Sequence, residues 1–472
     1  MDSRAEHFIE HFVKELENEN AAIFAGAGLS VGAGYVDWKR LLKPIANELG
    51  LDVDVEHDLV SLAQYHVNDK RNRSGLNRAL IENFSEGHHV QENHQILARL
   101  PIKIFWTTNY DSLIEDALKA AGKVADVKED VQQLKHARPK RDAIVYKMHG
   151  DIRRPDEAVL TKDDYERYPS THGPFVTALS GDLVSKTFLF LGFSFSDPNI
   201  DYIFNRVRLS LHGQTRDHYC VFRRANQADY SEDKEYQYAA VKQEHVVRDL
   251  KRFGVQTLFV DSYSEVTDLL RRIETRYKRR TVLISGSAHE YGTWQAEEAE
   301  QFIRDLAQAL IKNGNKIVSG FGLGVGSHVI TGALQEIYMN EGKRLHDQLL
   351  LRPFPQGAEG MKNWEAYRRD MITYSGAALF LFGNKLADGQ ITNANGVRAE
   401  FDIARELGVT VVPVGATGFV AEQLWSEVIN NFDAHHPGRP DLKVLFERIG
   451  PSGVRSTLIP TAIDILNKLR SH

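Results

Sequence analysis

The sequence predicts an α/β protein made of two doubly wound, mostly parallel-sheet domains in tandem, and three observations carry the prediction. The 472 residues exceed one ordinary core, because domains run to roughly 150 residues each. Short apolar runs end in glycine-rich or polar turns and lead into amphipathic segments, the alternation of a parallel sheet with crossover helices. That series stops near residues 275–280 and begins again beyond them. Apolar residues make up 42% and charged residues 26%, a balance that supports packed cores rather than a disordered chain.

In the first series, residues 1–16 place Ile9, Phe12, Val13 and Leu16 on one helical face, unlike the unbroken apolar run of a signal peptide. Strand candidates follow at 21–25, before Gly26-Ala27-Gly28, and at 102–106, before Thr107-Thr108-Asn109. Two more stand at 143–146, before Lys147-Met148-His149-Gly150, and at 188–191, before Gly192-Phe193-Ser194. Strands whose ends all carry small or polar residues predict a ligand crevice at the carboxyl edge of the sheet. Residues 225–247, rich in Gln, Asp, Glu and Lys, read as an exposed insertion. Ser264 is placed to cap a helix whose Val266, Leu269, Leu270 and Ile273 share a face. Its end, Arg276-Tyr277-Lys278-Arg279-Arg280, reads as solvated cations that suit the helix dipole, with a nucleic-acid patch as the alternative. The second series supplies strand candidates at 281–284, 316–318, 348–352, 377–382 and 409–414, enough for another Rossmann-like sheet. The expected domains are residues 1–277 and 281–472.

Charge and cysteine usage exclude several classes. Lys plus Arg total 58 against 64 for Asp plus Glu, a net charge of −6, whereas nucleic-acid binders carry a positive excess. The single cysteine, Cys220, allows no internal disulfide and no cysteine zinc site. No run of about 18 uncharged apolar residues marks a membrane span. The expectation is a cytoplasmic protein without metal, nucleic-acid or membrane partner.

The first site is Gly26-Ala27-Gly28-Leu29-Ser30-Val31-Gly32-Ala33-Gly34. Glycines after a buried strand let the backbone approach a pyrophosphate, and N–H groups at the next helix start bind it. The spacing is not G-x-G-x-x-G and no G-K-[ST] follows, so this is not a P-loop; glycine turns without a ligand are the alternative. With its companions the run resembles the sirtuin family. Gly26 to Ser30 matches the opening G-A-G-[IL]-S, and Gly34, Asp37 and Trp38 fall where the family has G-I-P-D-F. Thr108-Asn109-Tyr110-Asp111 stands for Q-N-x-D, His149-Gly150 for the H-G pair, and Gly192-Phe193-Ser194 for G-[TY]-S.

That resemblance implies an NAD-binding fold in which Ala25, Gly26, Ala27, Ser30, Asp37, Asp111, Gly192 and Ser194 contact the dinucleotide. Asp111 would hold the carboxamide, and Ser30 and Ser194 the phosphates or ribose. Asn109 and His149 would be catalytic, Asn109 orienting the ribose or the attacking water and His149 serving as general base. The nicotinamide–ribose bond is weak because a cationic ring departs neutral, so holding the carboxamide and ribose beside a nucleophile suffices in principle. Each residue also has a plainer reading: His149 as a structural histidine at a strand end, Asn109 as a turn residue, Asp111 as the cap of a helix over 112–118. The family's deacylases carry four zinc cysteines, and here Thr108 replaces the glutamine and Val36 the proline. Water, rather than an acyl-lysine peptide, is therefore the expected acceptor.

The second half carries Ser285-Gly286-Ser287, a glycine run from Gly320 through Gly322, Leu323 and Gly324 to Gly326, Tyr367-Arg368-Arg369-Asp370-Met371, and Gly396-Val397-Arg398-Ala399-Glu400. Small strand-end residues facing arginines describe a nucleotide-shaped pocket, since the guanidinium fork suits phosphate and an acid suits a ribose diol or adenine amine. This half resembles the SLOG ligand-sensing domains, relatives of the LOG phosphoribohydrolases. Arg368 and Met371 fit the first LOG element and Glu400 the end of the second, where Asn393-Ala394-Asn395-Gly396 replaces Pro-Gly-Gly. That replacement favours binding over turnover. The resemblance implies a nucleotide signal held by Gly286, Ser287, Gly322, Leu323, Gly324, Arg368, Lys385, Gly396 and Glu400. Surface salt bridges for Arg368 and Arg369, and a solvated loop charge for Lys385, are the alternatives.

The pairing of both halves resembles the effectors of Thoeris anti-phage defence. It implies a homotetramer that destroys NAD after a separate TIR-domain protein supplies a cyclic ADP-ribose isomer. Three other classes compete: an NAD-dependent deacylase, a non-enzymatic nucleotide sensor, and a phosphoribohydrolase in the second half. Nicotinamide release that needs an acetyl-lysine peptide would mark the first, intact NAD the second, and a free base released from a nucleoside monophosphate the third.

Overall fold

Fully buried apolar runs become the central strands, and the crossover helices that parallel pairing requires cover both of their faces. The computed structural model describes residues 3–56, 58–84, 88–339, 348–355 and 357–470, and the chain divides into two compact units, Met1–Glu274 and Thr275–His472. In the first unit the strands are β1 (Ala21–Ala25), β2 (Ile104–Thr107), β3 (Ala125–Lys128), β4 (Ala143–Lys147), β5 (Thr187–Leu191), β6 (His218–Arg223) and β7 (Val255–Val260). They form one sheet in the order β3-β4-β2-β1-β5-β6-β7, and every pair is parallel. Ile23 sits in register between Phe105 and Leu189. Phe24 packs its ring on Phe190 and Phe193, and each such buried ring contributes roughly 1.5–3 kcal/mol.

Between β1 and β2 the chain runs through helices Trp38–Glu48, Leu59–Lys70, Ser74–Phe84 and Glu92–Arg99. Asp37 caps the first by accepting from the Arg40 N–H at 2.9 Å, and Asp58 caps the second through Ser61. Leu42, Leu62 and Leu80 knit three of them into a core of their own.

In the second unit β8 (Thr281–Ser287), β9 (Lys316–Ser319), β10 (Leu349–Leu351), β11 (Ala377–Phe382) and β14 (Thr410–Pro413) form a parallel sheet in the order β10-β9-β8-β11-β14. The strands β12 (Asn384–Ala387) and β13 (Gln390–Asn393) make a separate antiparallel hairpin. One core, centred on β8, β11 and the helices Ala296–Lys312 and Asn395–Glu406, runs through the unit. The α/β class with two parallel sheets is as the sequence predicts. No helix among the described residues is long and apolar enough to cross a membrane.

Several details differ from the sequence reading. Strands β3, β6, β7 and the hairpin were not foreseen. β3 reads Ala-Asp-Val-Lys, with a buried Asp126–Lys128 ion pair at 2.7 Å, so no apolar run marks it. β6 is bounded by His218 and Arg223, and Gln256 interrupts β7. The stretch 225–247 is largely exposed, as expected, and most of it enters the helix Asp233–Leu250, whose only buried residue is Leu250. A helix with so little buried surface has no apolar stripe for the sequence to show. Ser264 lies inside the first turn of the helix Tyr263–Lys278 rather than ahead of it.

Candidate active site

In an all-parallel sheet every strand end falls on one edge, so residues far apart in sequence gather there. Gly26 follows β1, Asn109 lies two residues past β2, His149 two past β4, and Gly192 one past β5. β1 lies between β2 and β5, where the connections turn to opposite sides and a crevice opens. That crevice is a cavity of about 1360 Å³ lined by Ser30, Asp37, Asn109, Asp111, His149 and Asp197, among others. A ligand pocket usually spans roughly 300–1,000 Å³, so this one has room for a dinucleotide. Ala27, Gly192 and Ser194 also line it. Ala25 and Gly26 do not reach its wall: Ala25 is wholly buried at the end of β1, and Gly26 lies against the loop after β5.

The glycines serve first to close loop on loop. A Cβ on Gly26 would meet Gly192 O at 2.5 Å, and one on Gly28 would meet Gly192 Cα at 2.8 Å. Gly192 has φ +62 and its Cβ would stand 2.1 Å from Leu29 N. The N–H groups of Gly26 and Gly28 donate to Leu191 O and Gly192 O, both at 2.9 Å. They are therefore spent on the neighbouring loop. The helix that follows is one turn, Ala27–Ser30, too short for the anion-binding helix start expected from the sequence.

Asn109 is held on three sides. Its backbone N–H donates to Thr107 Oγ1 at 2.9 Å, and its Nδ2 donates to Gly26 O at 3.1 Å and to Ser30 Oγ at 3.0 Å. Ser30 in turn donates to Asp111 Oδ2 at 2.8 Å, while Asp111 Oδ1 accepts from the Leu113 N–H at 3.0 Å. Asp111 thus accepts the first N–H of the helix Leu113–Ala120, whose cap position is Ser112, and lines the cavity at once. Asn109 Oδ1 is buried and has no hydrogen-bond partner. A buried acceptor left without a donor costs about 1–3 kcal/mol, and a ligand hydroxyl would remove that cost.

His149 is 1% exposed. Its Nε2 lies 3.1 Å from Asp197 Oδ2 without making a full hydrogen bond, and Nδ1 has no hydrogen-bond partner either. Tyr165 and Tyr168 pack edge-on against the ring. Burial, and then Asp197, push both phenols well above their usual value, so they stay protonated. Burial also pushes the Asp197 carboxyl up, but His149 and the N–H groups of Ile200 and Asn199 outweigh it and hold the group below the usual carboxylate range. Lys147, the last residue of β4, is fully buried. Its ammonium donates to Tyr110 O at 3.2 Å and to Asp111 O, and pairs with Glu115 at 3.2 Å and with Asp151. Lys147 so ties the loop of Asn109 to the loop of His149.

Sequence reasoning missed Lys147, Tyr165 and Asp197 as working parts. Asp197 stood in the run Gly192-Phe193-Ser194-Phe195-Ser196-Asp197-Pro198-Asn199, where an acid before proline at a helix start was a readable signal. The other two carry none, since their contacts are made across the sheet edge.

In the second unit the glycines again pack backbone on backbone. A Cβ on Gly322 would meet Gly286 O at 1.9 Å, and Gly324, at φ +67, faces Ala288 O. Ser287 Oγ donates at 2.7 Å to Asn384 O, which brings Lys385 beside the end of β8; Lys385 itself is exposed. Arg368 lies over the rings of Phe354 and Trp364 at 5.1 and 5.6 Å, and its Nε stands 3.7 Å from Glu400 Oε1. A Cβ on Gly396 would come within 3.2 Å of the guanidinium, so glycine keeps room for it. Burial pushes the Glu400 carboxyl up, against Ser285 and Arg368. Arg368, Gly396 and Glu400 therefore form one group, and Gly286, Ser287, Gly322 and Gly324 another, while Leu323 is 65% exposed.

Residues 103–246 match the SIR2-like domain family, and residues 265–469 match the Sir2- and TIR-associating SLOG family. The chain is 51% identical to a Bacillus cereus (strain MSX-D12) protein named NAD(+) hydrolase ThsA, over 99% of both chains. It is 47% identical to a protein of that name from Acinetobacter baumannii (strain 532279), over 93% of this chain and 94% of the other. A third, from Enterococcus faecium, is 40% identical over 98% of both.

Proposed function

Because the chain belongs to the NAD(+) hydrolase ThsA family and is an NAD⁺ glycohydrolase, we propose that it cleaves NAD⁺ at the Asn109–His149 cavity under control of its second unit. The observation that carries the siting is a pair of buried polar atoms, Asn109 Oδ1 and His149 Nδ1, both without a hydrogen-bond partner, on residues that line one dinucleotide-sized cavity. Asn109 Oδ1 takes a ribose hydroxyl or the attacking water, and His149 takes the proton of that water. Asp111 still has lone pairs for the carboxamide after serving Ser30 and Leu113. As the C1′–N bond breaks, its electron pair neutralises the pyridinium ring, and water closes on the oxocarbenium-like sugar to give ADP-ribose.

Uncontrolled NAD⁺ loss would kill the host, so the resting state is inactive and a signal must select the active one. Moving a 1:99 equilibrium to 99:1 needs about 10⁴-fold tighter binding to the active state. A cyclic ADP-ribose isomer, made by a TIR-domain protein in a Thoeris system, is the signal this reading assigns to the second unit. The Arg368 guanidinium, lying over the rings of Phe354 and Trp364 with no hydrogen-bond partner on its Nε, supports an anionic nucleotide there. The assembly would be a homotetramer, and the outcome NAD⁺ depletion and abortive infection.

The test is to incubate the purified chain with NAD⁺, alone and with each cyclic ADP-ribose isomer, and follow nicotinamide by chromatography. Asn109→Ala and His149→Ala should each lower release by roughly 10²–10⁴-fold. Arg368→Ala should stay folded and stop responding to the isomer. Full activity in His149→Ala, or a normal response in Arg368→Ala, refutes the siting of the cavity or of the signal pocket respectively.

A further inference from the structure

Asp197 has no place in the chemistry above, yet it lines the same cavity and holds the only carboxylate oxygen that the structure sets against the His149 ring among the described ion pairs. Its two oxygens are divided. Oδ1 accepts from the N–H groups of Asn199 and Ile200, at 2.9 and 3.2 Å, so the carboxylate is anchored at the start of the helix Pro198–Ser210. Oδ2 faces His149 Nε2 at 3.1 Å and the Tyr165 hydroxyl at 3.4 Å. The contact to His149 falls short of a full hydrogen bond, as catalytic hydrogen bonds often do in a free enzyme.

We propose that Asp197 is the positioning residue of His149: it holds the proton on Nε2 and leaves Nδ1 bare as the atom that deprotonates the attacking water. An acceptor-only carboxylate permits one tautomer, because only an Nε2–H can donate to it. Neither ring nitrogen makes a full hydrogen bond, but only Nε2 has a carboxylate oxygen set against it in the described ion pairs. During hydrolysis a water proton passes to Nδ1, the water oxygen bonds to C1′, and the C1′–N pair leaves with nicotinamide. The imidazolium so formed is stabilised by Asp197. The inference rests on the hydrolase reading above.

The competing role is purely structural, a helix cap, and Asp197→Asn separates the two. Asparagine caps a helix as well as aspartate does and has the same shape. It would keep Oδ1 on Asn199 and Ile200 but turn an amide N–H toward His149, which forces the opposite tautomer. Expected in nicotinamide release from NAD⁺, with the cyclic ADP-ribose isomers present, is a kcat lower by about 10³–10⁴-fold with KM little changed. Asp197→Ser, which also caps, provides a second variant and should lose at least 10²-fold in kcat. ¹⁵N-histidine spectra, with the His149 signal identified by its loss in His149→Gln, read the tautomer without turnover: Nε2–H in the parent, Nδ1–H in Asp197→Asn. Parental kcat in either variant, an effect on KM alone, or an Nδ1–H tautomer in the parent overturns the proposal. A parent chain that releases no nicotinamide would instead count against the hydrolase siting, and the spectra would still decide the tautomer.

Discussion

Replacing Lys147 with methionine removes the cation on which both loops of the cavity close. Methionine keeps the length of the stem, so little packing is lost; what goes is the ammonium, 0% exposed. Burial pulls Lys147 down, but Glu115, Asp151 and Asp111 outweigh it and keep the ammonium charged. Removing one partner of a buried ion pair costs roughly 3–5 kcal/mol, and the carbonyls of Tyr110 and Asp111 lose a donor that is worth about 1–3 kcal/mol each when buried. The total is on the order of 5 kcal/mol, a large share of the 5–15 kcal/mol that holds a typical domain. Urea denaturation followed by tryptophan fluorescence measures it. The deficit has a pH signature. Burial already pushes Glu115 up while Lys147 opposes it, so the variant leaves Glu115 higher still. A carboxyl raised in the folded state adds stability that is complete below its unfolded value, near 4.3, and is lost as pH rises through the folded value. The deficit of Lys147→Met should therefore be larger at pH 7 than at pH 5, and Lys147→Met combined with Asp151→Asn should recover part of it. A loss under about 1 kcal/mol at pH 7, or one independent of pH, refutes the account of the cluster.

Two further predictions use other features. Burial, helped by Arg216, pulls His218 down to about 3, and Nδ1 accepts from the Phe188 N–H at 3.2 Å. Below about 6.5 the unfolded chain takes a proton that the folded one refuses, so stability falls toward acid by at most about 1.4 kcal/mol per pH unit until the folded value is reached. His218→Asn keeps an acceptor without titrating, and its thermal midpoint should drop less between pH 7 and pH 5 than the parent's; equal drops would exclude the effect. Gly192→Ala places a methyl 2.1 Å from Leu29 N at φ +62. Left-handed strain of about 1–2 kcal/mol and overpacking of about 1–3 kcal/mol should lower the melting temperature by roughly 5–15 °C and spread the loops enough to depress kcat/KM. An unchanged melting curve would show that the two loops are not packed as described.

The residues legible from sequence were those whose chemistry shows in a short run. The buried strands β1 and β11, and β5 after Thr187, are unbroken apolar stretches, and the small or polar residues at their ends marked the carboxyl edge. Asn109 and His149 could be placed on that edge because each follows a strand by two residues. β3 could not be read, because its polarity is neutralised by an ion pair inside the strand itself. The hairpin β12–β13 is polar at five of its eight positions and none of its residues joins the core, so no periodicity announces it.

The sequence by itself determined the α/β class, the two sheets and the edge on which the candidate site residues lie, because strand period and turn chemistry are local properties. Only the tertiary structure decided what those residues do to one another. It turned the glycines of the first motif from a phosphate cradle into a seam between two loops, tied Lys147 to the loop of Asn109, and brought Asp197 within 3.1 Å of His149. Each of those contacts joins segments separated along the chain that meet at one sheet edge, and hydrogen bonds and ion pairs are fixed by distance in space, which composition and spacing along a chain do not encode.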